Sequence, residues 1–157
     1  MSGPRRSLRR WLKSTSNRTF VLWPVLLLGA RAAIDGGWPE LNWWGLPLLA
    51  WGYGEYWWVG RLRTALGGGG PGLSNPPERL VTSGPYRFTR NPMYLGHLIF
   101  FAGLAIMVSW PGWLVFLVHC VWFDRRARGD EQHLAQLFGP AYLAYASRVK
   151  RWVPGIY

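Results

Sequence analysis

Gly84-Pro85-Tyr86-Arg87-Phe88-Thr89-Arg90-Asn91-Pro92-Met93-Tyr94-Leu95-Gly96 stands at the doorway of an apolar run that continues from Leu95 to Val108. Proline is tolerated in the first turn of a helix, where its missing N–H would have had no intrahelical partner. Asn91 before Pro92 therefore reads as a helix start with Asn91 as N-cap. Arg87 and Arg90 come just before the chain turns apolar enough to enter a membrane. A helix N-terminus beside guanidinium groups suits an anionic group.

Three other stretches resemble that apolar run, and together they set the fold class. The candidate membrane helices are about Phe20–Ile34, Trp43–Gly60, Met93–Val108 and Trp113–Phe123. The first, third and fourth fall short of the roughly 20 residues of a full span. The fourth gains length if it continues into the polar helix expected over Asp124–Phe138. A chain of 157 residues suits one domain, and it is half hydrophobic with twelve tryptophans. A soluble domain of this size has little room for so many indoles, whereas a bilayer interface accommodates them. The expected architecture is all-α: an integral membrane bundle of about four transmembrane helices with a C-terminal cytoplasmic helical segment. Residues 1–18 form a basic, Ser-rich arm and 19–157 the membrane domain.

Charge distribution orients that bundle. The net charge is +11, which raises nucleic acid or an anionic surface as partner. The arm holds six basic residues, the segment between the second and third spans five, and the C-terminal region six. Only Arg31 of the 18 lies near the opposite face. Four spans with both termini cytoplasmic satisfy the positive-inside rule. Anionic membrane lipids therefore explain the charge better than nucleic acid does. The arm lacks a small-residue cleavage site and does not read as a removable signal. The lone Cys120 leaves no internal disulfide, and three scattered histidines offer no metal-ligand spacing. Gly67-Gly68-Gly69-Gly70 is followed by no Gly-Lys-Ser/Thr and reads as a flexible loop, not a phosphate loop.

Two polar constellations stand at the cytoplasmic face. The first is Arg90-Asn91-Pro92-Met93-Tyr94 with His97. The second is Asp130-Glu131, followed by Tyr142-Leu143-Ala144-Tyr145-Ala146-Ser147-Arg148 beyond a Gly139-Pro140 break. A hairpin of the third and fourth spans would bring them together. Each residue also has a plainer reading. Arg87, Arg90 and Arg148 suit headgroup contacts, Asp130-Glu131 suits a solvated face paired with Arg126 or Arg128, and Tyr142 and Tyr145 suit an aromatic belt. His97 and His119 suit packing. Glu55 within a span is either functional or paired with Arg61. Gly52 and Gly54 favour close helix packing over cofactor approach.

These two blocks resemble the isoprenylcysteine carboxyl methyltransferase and phospholipid methyltransferase superfamily of membrane enzymes. The likeness covers about residues 80–154, in the family's order and spacing. Arg90-Asn91-Pro92 replaces the Arg-His-Pro usual in the isoprenylcysteine branch, and Asn-Pro-Met-Tyr is the form of the phosphatidylethanolamine branch. Asp130-Glu131 replaces the usual Glu-Glu. The resemblance implies methyl transfer from S-adenosylmethionine to a lipid-soluble or membrane-presented acceptor such as an isoprenylcysteine carboxylate or a phospholipid amine. It implies cofactor binding by Tyr86, Arg90, Asn91, Pro92, Tyr94, Leu95, Asp130, Glu131 and Tyr142. By the same likeness Arg90, Glu131 and Arg148 lie nearest the reacting groups. On that reading Glu131 suits the cofactor's ammonium or ribose, Arg90 its carboxylate, and Tyr86 and Tyr94 its adenine or sulfonium. Glu131, Tyr94 or His97 would take a proton from an amine acceptor. Two rivals are a membrane NADPH-dependent reductase of the sterol-reductase type and a non-enzymatic lipid-binding protein on the same scaffold.

Overall fold

A computed structural model describes residues 11–70 and 77–152, which are helical apart from the connecting segments. We number the main helices α1 (Trp23–Asp35), α2 (Leu46–Gly67), α3 (Pro92–Val108), α4 (Trp110–Phe138) and α5 (Pro140–Arg148). A short turn at Thr15–Asn17 and a π-helical stretch at Arg18–Leu22 lead into α1. Single 3₁₀ turns occupy Trp43–Gly45 and Gly84–Arg87. No strand occurs among the described residues. The basic residues of the arm before Trp11, together with Pro154, lie outside them.

α3 is the centre of the bundle, and 12 of its 17 residues are buried. It lies between α2 and α4, and glycines decide how closely. A Cβ on Gly52 would sit 2.5 Å from both the Gly96 carbonyl oxygen and the Phe100 nitrogen, and one on Gly96 would sit 2.8 Å from Gly52 O. A seven-residue step away, Gly45 and Gly103 face each other in the same way. Two glycine pairs thus let antiparallel backbones touch, which maximises dispersion contact without requiring a solvent-driven force. Gly112 at the start of α4 is similarly closed, with Ala105 Cα 2.6 Å from its missing Cβ. The turn before α2 is tied to the end of α3 by Asn42 N–H donating to Met107 O at 3.1 Å. The α1–α2 and α3–α4 turns therefore share one end of the bundle.

The hairpins fall where expected, but several boundaries move. α2 runs to Gly67, beyond the expected stop near Arg61, because Gly67 O accepts from Glu78 N at 2.8 Å and Val81 packs against the glycine. Of the four consecutive glycines, Gly68, Gly69 and Gly70 then take positive φ and Gly67 does not. α4 is continuous through Phe123, so the fourth apolar stretch and the polar helix after it are one 29-residue element. Asn91 occupies the N-cap position of α3, but its side chain makes no cap bond to the first turn. Among the described residues, no helix is long and apolar enough to cross a membrane by itself. α1 and α3 are short at 13 and 17 residues, and the longer α2 and α4 carry charged residues. Apolar side chains nevertheless face outward. Leu114, Leu117, Val118 and Val121 form an exposed stripe on α4, and Trp51, Trp57 and Trp58 are exposed on α2.

The glycine contacts predict a contrast within one turn of α2. Gly52→Ala should lower the thermal midpoint by the roughly 1–3 kcal/mol of an overpacked contact. Gly54→Ala meets nothing within 4 Å and should hold or gain up to about 1 kcal/mol of helix propensity. Equal midpoints for the two variants would sink this account of the interface.

Candidate active site

The Glu131 carboxylate is the meeting point of the site. It is 8% exposed and accepts from three side chains distant in sequence. Asn91 Nδ2 donates to Oε1 at 2.8 Å, Arg151 donates from Nε to Oε1 at 2.9 Å and from Nη2 to Oε2 at 3.0 Å, and Arg90 Nη2 lies 3.3 Å from Oε2. The Arg151 contact is bidentate, the geometry in which a guanidinium holds a carboxylate best. The backbone reinforces it. Arg90 N–H donates to Lys150 O at 3.0 Å and Thr89 Oγ1 donates to Arg151 O at 2.7 Å. Trp152 Nε1 donates to Asp124 Oδ1 at 3.0 Å. The segment after α5 is thus strapped across the entrance to α3 and onto α4.

Beside this hub lies a cavity of about 370 Å³, within the range of small-molecule sites. Its polar wall comprises Arg63, Arg90, Asn91, Arg126, Asp130 and His133, with Tyr86, Tyr94, Tyr142 and Tyr145. Its apolar wall is Pro77, Leu80, Val81, Pro92, Met93 and Leu134. Tyr94 hydroxyl donates to Asp130 Oδ2 and accepts from Arg126 Nε at 2.9 Å. Tyr145 hydroxyl donates to Tyr86 O at 2.7 Å, pinning the 3₁₀ turn to α5. Arg90 Nε and Tyr142 Oη, both buried in this wall, have no hydrogen-bond partner among the described residues. Buried polar atoms are rarely left so, and both are donors suited to an anionic ligand group.

The structure brings the two sequence motifs to one place, but it does not distribute the residues as expected. Tyr86, Arg90, Asn91, Pro92, Tyr94, Asp130 and Tyr142 line the cavity. Glu131 does not line it, being occupied by its own partners. Leu95 does not line it either; one residue past Tyr94, it projects about 100° away around α3. Arg148 is exposed and donates from Nε to Ala144 O of its own helix at 3.1 Å, so it is not brought to the site. The arginine that reaches the hub is Arg151, three residues on, beyond the end of α5 where the chain bends back. Arg63 was legible only as an orienting charge, and Arg126 as that or as a partner of Asp130-Glu131. Arg63 lies on the buried stripe Gly52, Val59, Arg63, Gly67 of α2, a helical spacing that would have marked it as inward-facing.

The remaining polar candidates lie apart. Glu55 is half-buried and hydrogen-bonded to Trp51, while Arg61 stacks over Trp57 at 3.9 Å. His97 is fully buried among Phe20, Tyr56 and Phe123, and neither ring nitrogen has a partner. His119 Nδ1 bonds Val115 O at 2.8 Å. No group of His, Cys, Asp or Glu among the described residues is arranged to hold a metal.

Burial keeps the cavity phenols protonated. It pushes Tyr142 up to about 12, with the Glu131 charge adding to the rise and Arg90 and Arg151 opposing it. It also pushes Tyr86 up to about 12 against the pull of Arg63. At neutral pH both hydroxyls are donors.

An all-helical protein with a polar, nucleoside-sized cavity at one end of its bundle is the class that fold and site define. Residues 43–141, more than half of the chain, match the family of phospholipid methyltransferases, and the chain belongs to that family. It is 38% identical over 79 residues to protein-S-isoprenylcysteine O-methyltransferase B of Arabidopsis thaliana, covering 49% of this chain and 40% of that protein. It is 42% identical over 77 residues to protein-S-isoprenylcysteine O-methyltransferase A of the same plant, covering 48% and 39%. The protein-S-isoprenylcysteine O-methyltransferase of Mus musculus is 37% identical over 79 residues, covering 49% and 28%. The matched part of the chain thus spans at most about two fifths of the length of these relatives. No solved structure matches the chain. The superfamily resemblance carried by the two motifs is borne out.

Glu131→Gln would leave two nearly buried guanidinium groups without their counter-charge. It should cost about 3–5 kcal/mol in denaturant unfolding, as for other broken buried pairs. Arg148→Ala, at an exposed position, should stay within about 0.5 kcal/mol of the parent. Alkali gives a second check. The folded protein holds the Tyr86 and Tyr142 phenol protons between about pH 10 and 12 while the unfolded chain has lost them. Stability is therefore complete below pH 10 and falls as pH rises through that window. The midpoint of thermal unfolding should drop there, and Tyr142→Phe should lessen the drop.

Proposed function

We propose that this protein transfers a methyl group from S-adenosylmethionine to a lipid-soluble or membrane-presented acceptor. The observation that carries this reading is the pair of orphaned donors, Arg90 Nε and Tyr142 Oη, in the cavity wall that also holds Asp130. The cofactor has a carboxylate, an ammonium, a sulfonium and an adenine, and the wall has complements for each. Arg90 and Tyr142 would hold the carboxylate, and Asp130 the ammonium. Tyr86, Tyr94 and Tyr145 offer ring faces to the sulfonium and the adenine. When bound, the cofactor supplies an electrophilic methyl group.

The rest of the work belongs to the protein's side chains, and it is largely positioning. Glu131 fixes Arg90 from outside the cavity and so acts through it, as Asn91 does through its bond to Glu131. Leu80, Val81, Met93 and Leu134 form a wall suited to the hydrocarbon of a lipid acceptor. A carboxylate acceptor needs no base. An amine acceptor must lose a proton before it can attack.

The same proposal places the bundle in a membrane with both termini cytoplasmic. The exposed stripe of α4 and the outward indoles of α2 support it. Trp38, Trp43, Trp44 and Trp110 are exposed around the turn end of the bundle, as an interfacial belt would be. In α4 the charged residues begin at Asp124, after the apolar stripe, and in α2 Arg61 and Arg63 follow the indoles, so the charge that lowers their mean hydropathy collects at the site end of both helices.

Titration calorimetry with S-adenosylmethionine tests the site directly. The parent protein should bind. Tyr142→Phe and Arg90→Lys should each weaken binding about 10- to 100-fold, the loss of one or more hydrogen bonds to a charged group. No binding at millimolar cofactor would end the proposal. Transfer of labelled methyl groups into prenylcysteine analogues and into a membrane lipid extract then separates carboxylate from amine acceptors.

A further inference from the structure

A second cavity, of about 270 Å³, shares no wall residue with the first. Arg18, Thr19 and Leu22 line it from one side, and Val118 and Trp122 of α4 from the other. Three features point to the same kind of ligand. First, Arg18, Thr19 and Leu22 belong to the π-helical stretch Arg18–Leu22. π turns are rare and concentrate at functional positions. Second, two guanidinium groups converge on one indole. Arg18 and Arg126 lie 5.5 Å and 5.6 Å from the Trp122 ring centre. None of the ion pairs among the described residues includes Arg18. Third, Leu22, Trp23, Val118 and Trp122 give the wall an apolar side beside the polar Thr15, Thr19 and His119, and Val118, 65% exposed, continues that side onto the outward stripe of Leu114, Leu117 and Val121.

We propose that this cavity is a binding site for an anionic membrane phospholipid, with its phosphate at Arg18 and an acyl chain along Leu22, Val118 and the α4 stripe. A zwitterionic choline lipid is disfavoured. The indole that would otherwise attract its quaternary ammonium already carries two guanidinium cations, which repel a third positive charge. The site is separate from methyl transfer, and it rests only on the membrane placement proposed above.

Native mass spectrometry of the full chain, released from micelles containing phosphatidylglycerol or phosphatidylcholine, tests it. The parent should retain one phosphatidylglycerol well in excess of phosphatidylcholine. Arg18→Gln should cut that retention about fivefold, the worth of one basic residue at an anionic headgroup. Val118→Trp, made at an exposed position that does not endanger the fold, should fill the groove and reduce it also. Glycerol phosphate, which has the headgroup and no chain, should fail to displace the lipid. Equal retention of the two lipids by the parent, unchanged retention in both variants, or displacement by glycerol phosphate would each overturn the inference. Flotation with liposomes separates this from the membrane reading. A protein that does not float overturns both, whereas one that floats and holds the two lipids equally overturns this inference alone.

Discussion

The carboxylate of Glu131 is held by three side chains from two distant parts of the chain, and most of the site depends on that convergence. An ionised carboxylate at this burial is costly unless its lone pairs are matched by well-placed donors. Asn91, Arg90 and Arg151 supply them. The consequence is geometric as much as energetic. The entrance to α3, the middle of α4 and the segment after α5 are fixed at one point, and Arg90 is held in the wall of the cavity next to it. The adjacent Asp130 points elsewhere, because neighbouring residues on a helix diverge by about 100°. One carboxylate builds the wall and the other faces the space it encloses.

Along α3 itself, from Gly96 to Gly103, the constraint is steric. The paired glycines of α2 and α3 leave no room for side chains between the backbones. That closeness sets the rotation of α2 about its axis and turns Arg63 inward toward the cavity. The polar hub and the glycine contacts are complementary. Glycine fixes how the helices approach, and the ionic cluster fixes what stands at the end where they splay apart. Tyr145, bonded to the backbone of Tyr86, closes the remaining side.

Much of this was legible in the sequence. The apolar runs mark the helices, the breaks between those runs mark the hairpins, and Gly139-Pro140 marks the break before α5. Each is a strong local signal with a backbone cause. The misreadings were of direction. Asn91 has the sequence position of a helix cap, but its amide turns to Glu131 and leaves the first turn uncapped by a side chain. Arg148 and Arg151 stand in one basic cluster, and nothing local separates them. α5 carries Arg148 out to solvent, and the bent segment after it carries Arg151 back. Gly67 looked like the start of a loose glycine loop, but it is the packed end of α2.

By itself, then, the chain's order of residues determined an all-helical protein, the placing of its turns, and the two motifs that mark its family. These follow from periodicity, proline and glycine chemistry and spacing, all of which act over a few residues. Only the tertiary structure decided which carboxylate faces the cavity, which arginine anchors the other, and which phenol and guanidinium are left with unmatched donors. Those outcomes depend on how each helix is rotated about its axis. That rotation is set by backbone contacts and charge pairs between residues far apart in sequence, for which local spacing carries no signal.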